Sequence, residues 1–338
     1  MEFRRKIVVL LGIILVLAVS YTLGTIFSPE NVHKRRSNIP LYANLKTDKV
    51  IKIEVGTKDG KIDIVKNGKA WSVLIDGKPY PANPNKVDSI LKEIKKLKQG
   101  KVISKNPDNW KDFDVTKDKA KTIAFYDSKN KKLVRLLVGK SGLGGSGYYV
   151  RRDDDNTVFQ IERDISYYLN IKDDFWSYLK IFPQDIKKDK VIKVVVNKRG
   201  AFDDKDKYAE LKYTLYKNES KEGASWKIRE AENKKIDEDE VDILLGDIIR
   251  LEGVRFVTGK NPKDVGLVKS DTFLEITTEN NKSYRIIVGK KNPKEEQFYV
   301  KLKDGEYIYL VSVWQLKRIF KGMDELYKKE EKKKDSKK

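Results

Sequence analysis

The stretch VDSILKEIKKLKQGKVIS at Val87–Ser104 recurs in altered form as VDILLGDIIRLEGVRFVT at Val241–Thr258. In the first copy the apolar residues return every three or four positions, which is the spacing of one face of an α-helix. The last residues of each copy have the β-branched and aromatic character of a strand. A helix followed by a strand, found twice in one chain, indicates duplication of a larger unit.

The similarity continues on both sides of this segment, and its order is kept. The further matching pairs are Val50–Val55 with Val191–Val196, Asn106-Pro107 with Asn261-Pro262, Leu136–Lys140 with Ile286–Lys290, and Tyr148–Arg151 with Phe298–Lys301. Because every pair falls in the same order, we predict two tandem copies of one whole domain.

Each copy is predicted to be α+β, with an antiparallel sheet and one long helix. Val87, Ile90, Leu91, Ile94 and Leu97 form the apolar face of that helix. Alternating apolar residues and turn signals such as Asn67-Gly68 predict the strands. In the first copy these are Val50–Val55, Lys61–Val65, Trp71–Ile75, Lys121–Tyr126, Lys132–Val138, Tyr148–Arg152 and Val158–Ile161, closed by a short helix near Arg163–Leu169. The second copy follows the same plan, with a longer insert near Ala201–Lys207.

The chain has 338 residues, a length typical of about two domains. The predicted organisation is a basic head and anchor at 1–28, a juxtamembrane linker at 29–49, the first repeat at 50–170, a connector at 171–190, the second repeat at 191–320 and a Lys-rich disordered tail at 321–338. Within that tail, Gly322–Lys328 (GMDELYK) is identical to the last seven residues of green fluorescent protein. A fusion remnant and a native segment are the two interpretations, and the helical stretch that continues into it from Trp314 favours the second.

Ile7–Phe27 contains no charged side chain. These 21 residues would form about 31 Å of helix, which matches a hydrocarbon core of about 30 Å. We predict a single-pass transmembrane helix in a bacterial cell membrane, which makes the lipid bilayer the first partner of the chain. The basic head before it favours a cytoplasmic N-terminus and an extracytoplasmic bulk. Basic residues on both flanks leave the orientation open, and a cleaved signal, cut after Ser20, is the alternative to an anchor.

Composition narrows the classes of function. The chain has no Cys, which excludes disulfides, thiol catalysis and Cys-based zinc sites. Its net charge of +21 favours anionic partners, but a lysine-rich surface also occurs without a specific partner. The single His, His33, lies in the basic flank after the apolar segment, so no His-dependent triad or metal site is expected inside the repeats.

Three short motifs suggest chemistry, and each has a simpler structural interpretation. Gly142–Gly147 fits a dinucleotide-binding pattern, but a strand follows it where such a site requires a helix. Asp153–Asn156 could bind calcium, although a solvated hairpin turn is favoured. The acidic run Asp237–Asp242 suits the N-terminus of a helix. We therefore predict no catalytic, cofactor-binding or metal-binding residue and expect no cofactor.

The chain resembles the bacterial family called domain of unknown function 4340. The resemblance rests on the Trp71 strand, Tyr80-Pro81-Ala82, Val102–Ser104 with Asn106-Pro107, Leu137–Lys140 and Tyr149–Arg151. It covers nearly all of the first repeat and, more loosely, the second, which keeps Trp226 and Asn261-Pro262 but lacks the Tyr-Pro-Ala turn. The resemblance implies a single-span envelope protein of the kind often encoded beside ABC-type transporter permeases or gliding-motility components.

The expected function is therefore a non-enzymatic accessory or binding module of a transporter or another envelope complex, with a protein partner and no nucleic acid. One alternative is an envelope hydrolase that uses carboxylates without a recognisable motif. Another is a cationic binder of anionic lipid or polymer, which would gather lysines on one face.

Overall fold

The computed structural model describes residues 2–28, 39–142, 145, 147–220 and 223–328. The chain divides into two compact units, Met1–Ser177 and Tyr178–Lys338, called unit 1 and unit 2 below. Their boundary falls within the connector predicted at 171–190. Three predicted features lie outside the described residues: the flank that contains His33, positions 143, 144 and 146 of the glycine-rich loop, and the tail from 329 onward.

The chain begins with helix α1 at Glu2–Ile26. Within the residues that the structure describes, no helix has both the length and the apolar character needed to cross a membrane.

The rest of unit 1 is one antiparallel sheet with short helices. Its strands are β1 (Lys52–Thr57), β2 (Gly60–Asn67), β3 (Ala70–Ile75), β4 (Lys78–Pro81), β5 (Lys101–Ser104), β6 (Lys121–Tyr126), β7 (Lys132–Ser141), β8 (Tyr148–Arg152) and β9 (Val158–Ile161). Helix α2 (Pro84–Lys96) joins β4 to β5, and α3 (Asp173–Trp176) ends the unit. Short 3-10 helices lie at Thr47–Lys49, Pro107–Phe113 and Ser166–Tyr168. The strand order is β4-β3-β2-β1-β6-β7-β8-β9-β5.

Unit 2 repeats this plan. Its strands are β10 (Val191–Arg199), β11 (Glu210–Ser220), β12 (Gly223–Ile228), β13 (Arg255–Phe256), β14 (Phe273–Thr278), β15 (Ser283–Lys291), β16 (Gln297–Leu302) and β17 (Ile308–Ser312). Helix α4 (Glu238–Ile249) corresponds to α2, and α5 (Val313–Ile319) follows the last strand. Further 3-10 helices lie at Lys188–Lys190, Arg229–Ala231 and Met323–Leu326. The strand order is β12-β11-β10-β14-β15-β16-β17-β13, which is the order of unit 1 without a counterpart of β4 among the described residues.

The register of the strands confirms the duplication residue by residue. Val138 pairs with Val150 in unit 1, and Val288 pairs with Val300 in unit 2. In both units the register shifts immediately after this pair, so even the irregularity is repeated. The predicted fold class, two α+β copies with antiparallel sheets, is confirmed.

Helix α2 starts where its sequence dictates and buries most of its predicted face. The Asn83 side chain accepts hydrogen bonds from the backbone N–H groups of Asn85 and Lys86. Pro84 fits the first turn of the helix, where its missing N–H is not needed. Val87, Ile90 and Ile94 are buried. Leu91 was predicted on the same face but is only half-buried, because it lies at the border of the contact stripe. In α4 the contact stripe is wider, and both Leu244 and Leu245 are buried.

The prediction of disorder from residue 321 was wrong for its first part. The 3-10 helix Met323–Leu326 packs on unit 2, and Leu326 is fully buried. The Leu326 carbonyl accepts from the Asp237 N–H at 2.9 Å, and the Lys328 N–H donates to the Lys235 carbonyl at 3.0 Å. An apolar residue that fills the core overrides the charge of its neighbours. This packing is what a native segment at Gly322–Lys328 should show.

Candidate functional site

The glycine-rich loop forms the hairpin turn between β7 and β8. The Gly142 N–H donates to the Gly147 carbonyl at 3.0 Å, and the Gly145 N–H donates to the Gly142 carbonyl at 3.1 Å. Strand β8 begins at Tyr148, directly after the loop. Since a strand follows this loop where a dinucleotide site has the N-terminus of a helix, the described part of the loop does not match the arrangement that holds a pyrophosphate.

The carboxylates of the Asp153–Asn156 turn bind their own neighbours. Asp153 pairs with Lys132, and Asp154 accepts two hydrogen bonds from Arg152, at 3.0 and 2.7 Å. These hydrogen bonds hold the pKa of both carboxyl groups below the ordinary value for Asp. Asp155 accepts from the Thr157 N–H at 2.8 Å. Throughout the described part of the chain, no three side chains of the metal-binding types converge.

The acidic run before α4 has structural roles. Asp237 caps the helix by accepting from the Asp239 N–H, and Glu238 accepts from the Trp226 N–H at 2.9 Å. Glu240 pairs with Lys321 at 2.7 Å. These contacts tie the start of α4 to β12 and to the C-terminal segment, and they use the carboxylates of Asp237, Glu238 and Glu240.

A charged network covers the open face of the sheet in unit 1. The Arg135 guanidinium donates to Glu54 at 2.8 Å and to the Tyr126 hydroxyl at 3.3 Å. Burial raises the pKa of the Glu54 carboxyl, but Lys61, Lys52 and Arg135 outweigh burial and hold it below its ordinary value.

The corresponding arginine of unit 2 also pairs with a carboxylate, but from another strand. Arg285 occupies the position of Arg135 and donates to Glu275 at 2.8 Å. The acid therefore lies on the adjacent strand β14 in unit 2 and two strands away, on β1, in unit 1. Both units therefore have an arginine–carboxylate pair at this position, but the carboxylate comes from a different strand in each.

The most exposed aromatic side chain of unit 2 lies beside a cavity between α4 and α5. Trp314 of α5 is 59% exposed, and the Arg318 guanidinium lies 5.6 Å from the centre of its ring. Arg318 also binds Asp247 of α4 through two hydrogen bonds, one of them 3.0 Å long. The cavity has a volume of about 320 Å³, and Gln315 is among its lining residues. We call Trp314, Arg318 and this cavity the Trp314 surface.

Unit 1 has a related surface after its last strand. Arg163 binds Glu93 of α2 through two hydrogen bonds, one of them 2.9 Å long, which hold the pKa of the Glu93 carboxyl below its ordinary value. Tyr167 is 57% exposed, and its ring meets that of Phe175 edge-on at 4.8 Å. Glu93 and Asp247 occupy corresponding positions of the two repeats. Each unit thus joins its main helix to the segment after the last strand and exposes one large aromatic there.

Comparison with protein families identifies the chain. Two overlapping segments, 71–270 and 226–330, match the family model described as domain of unknown function (DUF4340). The protein belongs to the DUF4340 family. The segments begin at Trp71 and Trp226, which hold the same register position, opposite Lys66 in β2 and Lys217 in β11. Neither the curated proteins nor the solved structures contain a match.

Sequence reasoning missed the exposed aromatics of this DUF4340 protein. In α5, Val313, Leu316 and Ile319 are buried. Their spacing places Trp314 on the opposite side of the helix, so helical periodicity could have revealed it. Tyr167 lies in a 3-10 helix of three residues, Ser166–Tyr168, which is too short for any periodic signal.

Proposed function

We propose that this DUF4340 protein is a membrane-anchored, non-enzymatic accessory or binding module of a bacterial envelope complex. The complex that we favour is an ABC-type transporter. The observation that carries the proposal is the Trp314 surface. Trp and Arg are the residue types most enriched where protein interfaces gain their affinity. A ring that is 59% exposed beside a guanidinium offers both types at one place.

The anchor is supported by the character of α1. Its side chains include Leu10, Leu15 and Leu17, which are 63%, 68% and 63% exposed. Large apolar side chains that are exposed along a helix favour a partner or a hydrocarbon environment around that stretch. The uncharged segment Ile7–Phe27 has the length that a bilayer requires. We place its N-terminus in the cytoplasm and both units outside.

The test is purification of the full-length native protein in mild detergent, with identification of the proteins that accompany it. We expect transporter subunits with the wild type and their loss with Trp314→Ala. Val268→Ala is the matched control, because Val268 is 65% exposed in the same unit and lies outside the residues that line the Trp314 cavity. Retention of the same subunits by Trp314→Ala, or equal loss with both variants, would contradict the proposed surface.

One observation favours a second candidate, an envelope hydrolase. A cavity of about 580 Å³ in unit 2 is lined by Asp237, Asp239, Glu240 and Glu325. Asp237 already caps α4 and Glu240 already pairs with Lys321, whereas Glu325 accepts only from the Tyr208 hydroxyl, at 3.1 Å, among the described contacts; Asp239 and Glu325 are therefore the proposed acid pair of such an enzyme. Hydrolysis of an envelope polymer that disappears with Asp239→Asn and with Glu325→Gln would establish this alternative in place of the accessory role.

A further inference from the structure

A third cavity, in unit 1, lies where the chain enters the folded part of that unit. It has a volume of about 510 Å³. Much of its wall is the segment from Ile39 to Lys49, and the remainder includes Leu133 and Val134 of β7 and Arg152 of β8. The Tyr42 hydroxyl donates to the Arg135 carbonyl at 3.0 Å, which fixes this segment to the sheet.

The charges that line this cavity are all positive. Lys46 and Lys49 contribute cations, Arg152 also lines the cavity but is paired with Asp154, and no carboxylate is among the described residues that line it. The two other cavities described above contain Asp247 in one case and four acidic residues in the other. The cavity of unit 1 therefore differs from both in having no carboxylate in its described lining.

Two of these cations, Lys46 and Lys49, belong to one short helical turn of the wall. Lys46 is the N-cap residue and Lys49 the last residue of the 3-10 helix Thr47–Lys49. Both side chains are exposed. Each is a long side chain that ends in an ammonium group, so one anion in the cavity can be reached by both.

The cavity is also apolar in part. Pro40, Leu41, Leu133 and Val134 contribute to its wall, and Ile39 at the rim is 45% exposed. A free phosphate or nucleotide phosphate would gain nothing from these groups. A ligand with a phosphate and an adjoining apolar part would satisfy both the lysines and the apolar wall.

The position along the chain brings such a ligand within reach. If Phe27 ends an anchor in the bilayer, the eleven residues at 28–38 separate it from Ile39. Eleven residues reach at most about 40 Å at full extension. The cavity is then confined close to the membrane surface, where the effective concentration of lipid headgroups is high.

We propose that this cavity binds the headgroup of an anionic phospholipid, with its phosphate at Lys46 and Lys49 and its glycerol and first methylenes against the apolar wall. The proposal rests on the proposed anchor, because the anchor supplies the membrane. It gives the juxtamembrane face of unit 1 a fixed attachment to the bilayer in addition to the helix.

Because the chain has no Cys, a single introduced Cys can be labelled specifically to test the proposal. Ala43, an exposed residue that lines the cavity, is replaced by Cys and labelled with an environment-sensitive fluorophore in the full-length protein in neutral detergent. Dihexanoyl phosphatidylglycerol, dihexanoyl phosphatidylcholine and inorganic phosphate are then titrated. We expect saturable binding of phosphatidylglycerol, at least about tenfold weaker binding of phosphatidylcholine, and no response to phosphate at the same concentrations.

Charge-removing variants locate the site. In the labelled protein, Lys46→Gln with Lys49→Gln should weaken phosphatidylglycerol binding by at least about tenfold. Lys92→Gln with Lys95→Gln is the control, because it removes the same charge from exposed positions of α2 and should change the affinity by less than about twofold. Equal binding of the two lipids, an equal loss in both double variants, or an equal response to inorganic phosphate would each overturn a lipid site at this cavity.

The test of the lipid site can fail or succeed independently of the test of the membrane anchor. Extraction of membranes with alkaline carbonate tests Ile7–Phe27, whereas the short-chain lipids test the cavity without a bilayer. Release by carbonate together with selective phosphatidylglycerol binding would remove the anchor and keep the lipid site. Retention in the membrane without selective binding would keep the anchor and refute the lipid site.

Discussion

Lys198 Nζ lies 2.5 Å from Asp206 Oδ2 in unit 2, and only 1% and 5% of the two side chains are exposed. Asp206 also accepts from the Phe202 N–H at 2.7 Å. The Phe202 ring in turn packs edge-on against Phe298 and Phe320. The ion pair therefore fastens the insert predicted near Ala201–Lys207 to β10. The contacts of Phe202 fasten the same insert to β16 and to the residue that follows α5.

We predict that Lys198→Met destabilises unit 2 by about 3–5 kcal/mol, because it leaves the Asp206 carboxylate buried without its cation. Urea unfolding measures the change. Lys207→Met is the matched control, since it breaks an exposed ion pair with Asp324 and should destabilise unit 2 far less than Lys198→Met. Equal losses in the two variants would show that burial of the Lys198 pair has no energetic role.

Gly139 and Gly289 hold corresponding positions, and each lies against a backbone carbonyl. A Cβ at Gly139 would come within 1.9 Å of the Phe113 oxygen, and one at Gly289 within 2.3 Å of the Val265 oxygen. We predict that Gly139→Ala and Gly289→Ala each cost about 2–3 kcal/mol, because a backbone segment must move. Thermal unfolding measures the loss.

Gly56→Ala provides the comparison for these substitutions. Its Cβ would meet only the Thr122 hydroxyl, at 2.7 Å, and that side chain can rotate. The variant should retain nearly all of the stability of unit 1. If it lost as much as Gly139→Ala, the cost would come from strand propensity rather than from the contact with Phe113.

The duplication could be predicted because burial preserves apolar patterns. Leu136 and Ile286 are both fully buried, as are Val150 and Val300, so these positions tolerate only apolar residues in either copy. The strand order is less accessible from sequence. The pair of Glu54 with Arg135 depends on β1 and β7 flanking β6, and separate charged residues in strands carry no sign of that arrangement.

The main helices support a separate test of each unit. Ile90 is fully buried in α2, and Leu245 is 4% exposed in α4. We predict that Ile90→Asp unfolds unit 1 and Leu245→Asp unfolds unit 2, at a cost above about 4 kcal/mol, because each buries an unpaired carboxylate. Limited proteolysis shows which unit becomes sensitive.

Leu91→Asp is the control for unit 1, because Leu91 is only half-buried. It should leave the unit resistant to the protease. Joint loss of both units in either of the other variants would mean that they unfold as one cooperative body, against the division at Ser177.

The N-terminus of the mature protein tests the anchor against a cleaved signal. The apolar run continues past Ser20 through Leu23, Ile26 and Phe27. A product cut after Ser20 would begin with exposed apolar residues, such as Tyr21 at 74% and Phe27 at 69%. We predict that the segment is retained, and N-terminal sequencing of the mature form measures it. A start at Tyr21 would show cleavage.

The acid stability of unit 1 should depend on Glu54. The pKa of this carboxyl is held below its ordinary value of 4.5 by Lys61, Lys52 and Arg135, against the opposing effect of burial. A lowered folded-state pKa means that the unfolded chain binds the proton more readily. The stabilisation is therefore complete above about pH 4.5 and is lost as the pH falls through the folded-state pKa.

We predict that Glu54→Gln lowers the urea midpoint of unit 1 at neutral pH and flattens its decline below pH 4.5, because the glutamine has no proton to bind. Glu162→Gln, a change at an exposed position after β9, should leave both the midpoint and the slope near those of the wild type. The midpoint is followed from pH 7 to pH 3 in all three proteins. An acid decline as steep in Glu54→Gln as in the wild type would assign the pH dependence to other carboxylates, and an unchanged neutral midpoint would mean that the pair with Arg135 contributes nothing to the sheet.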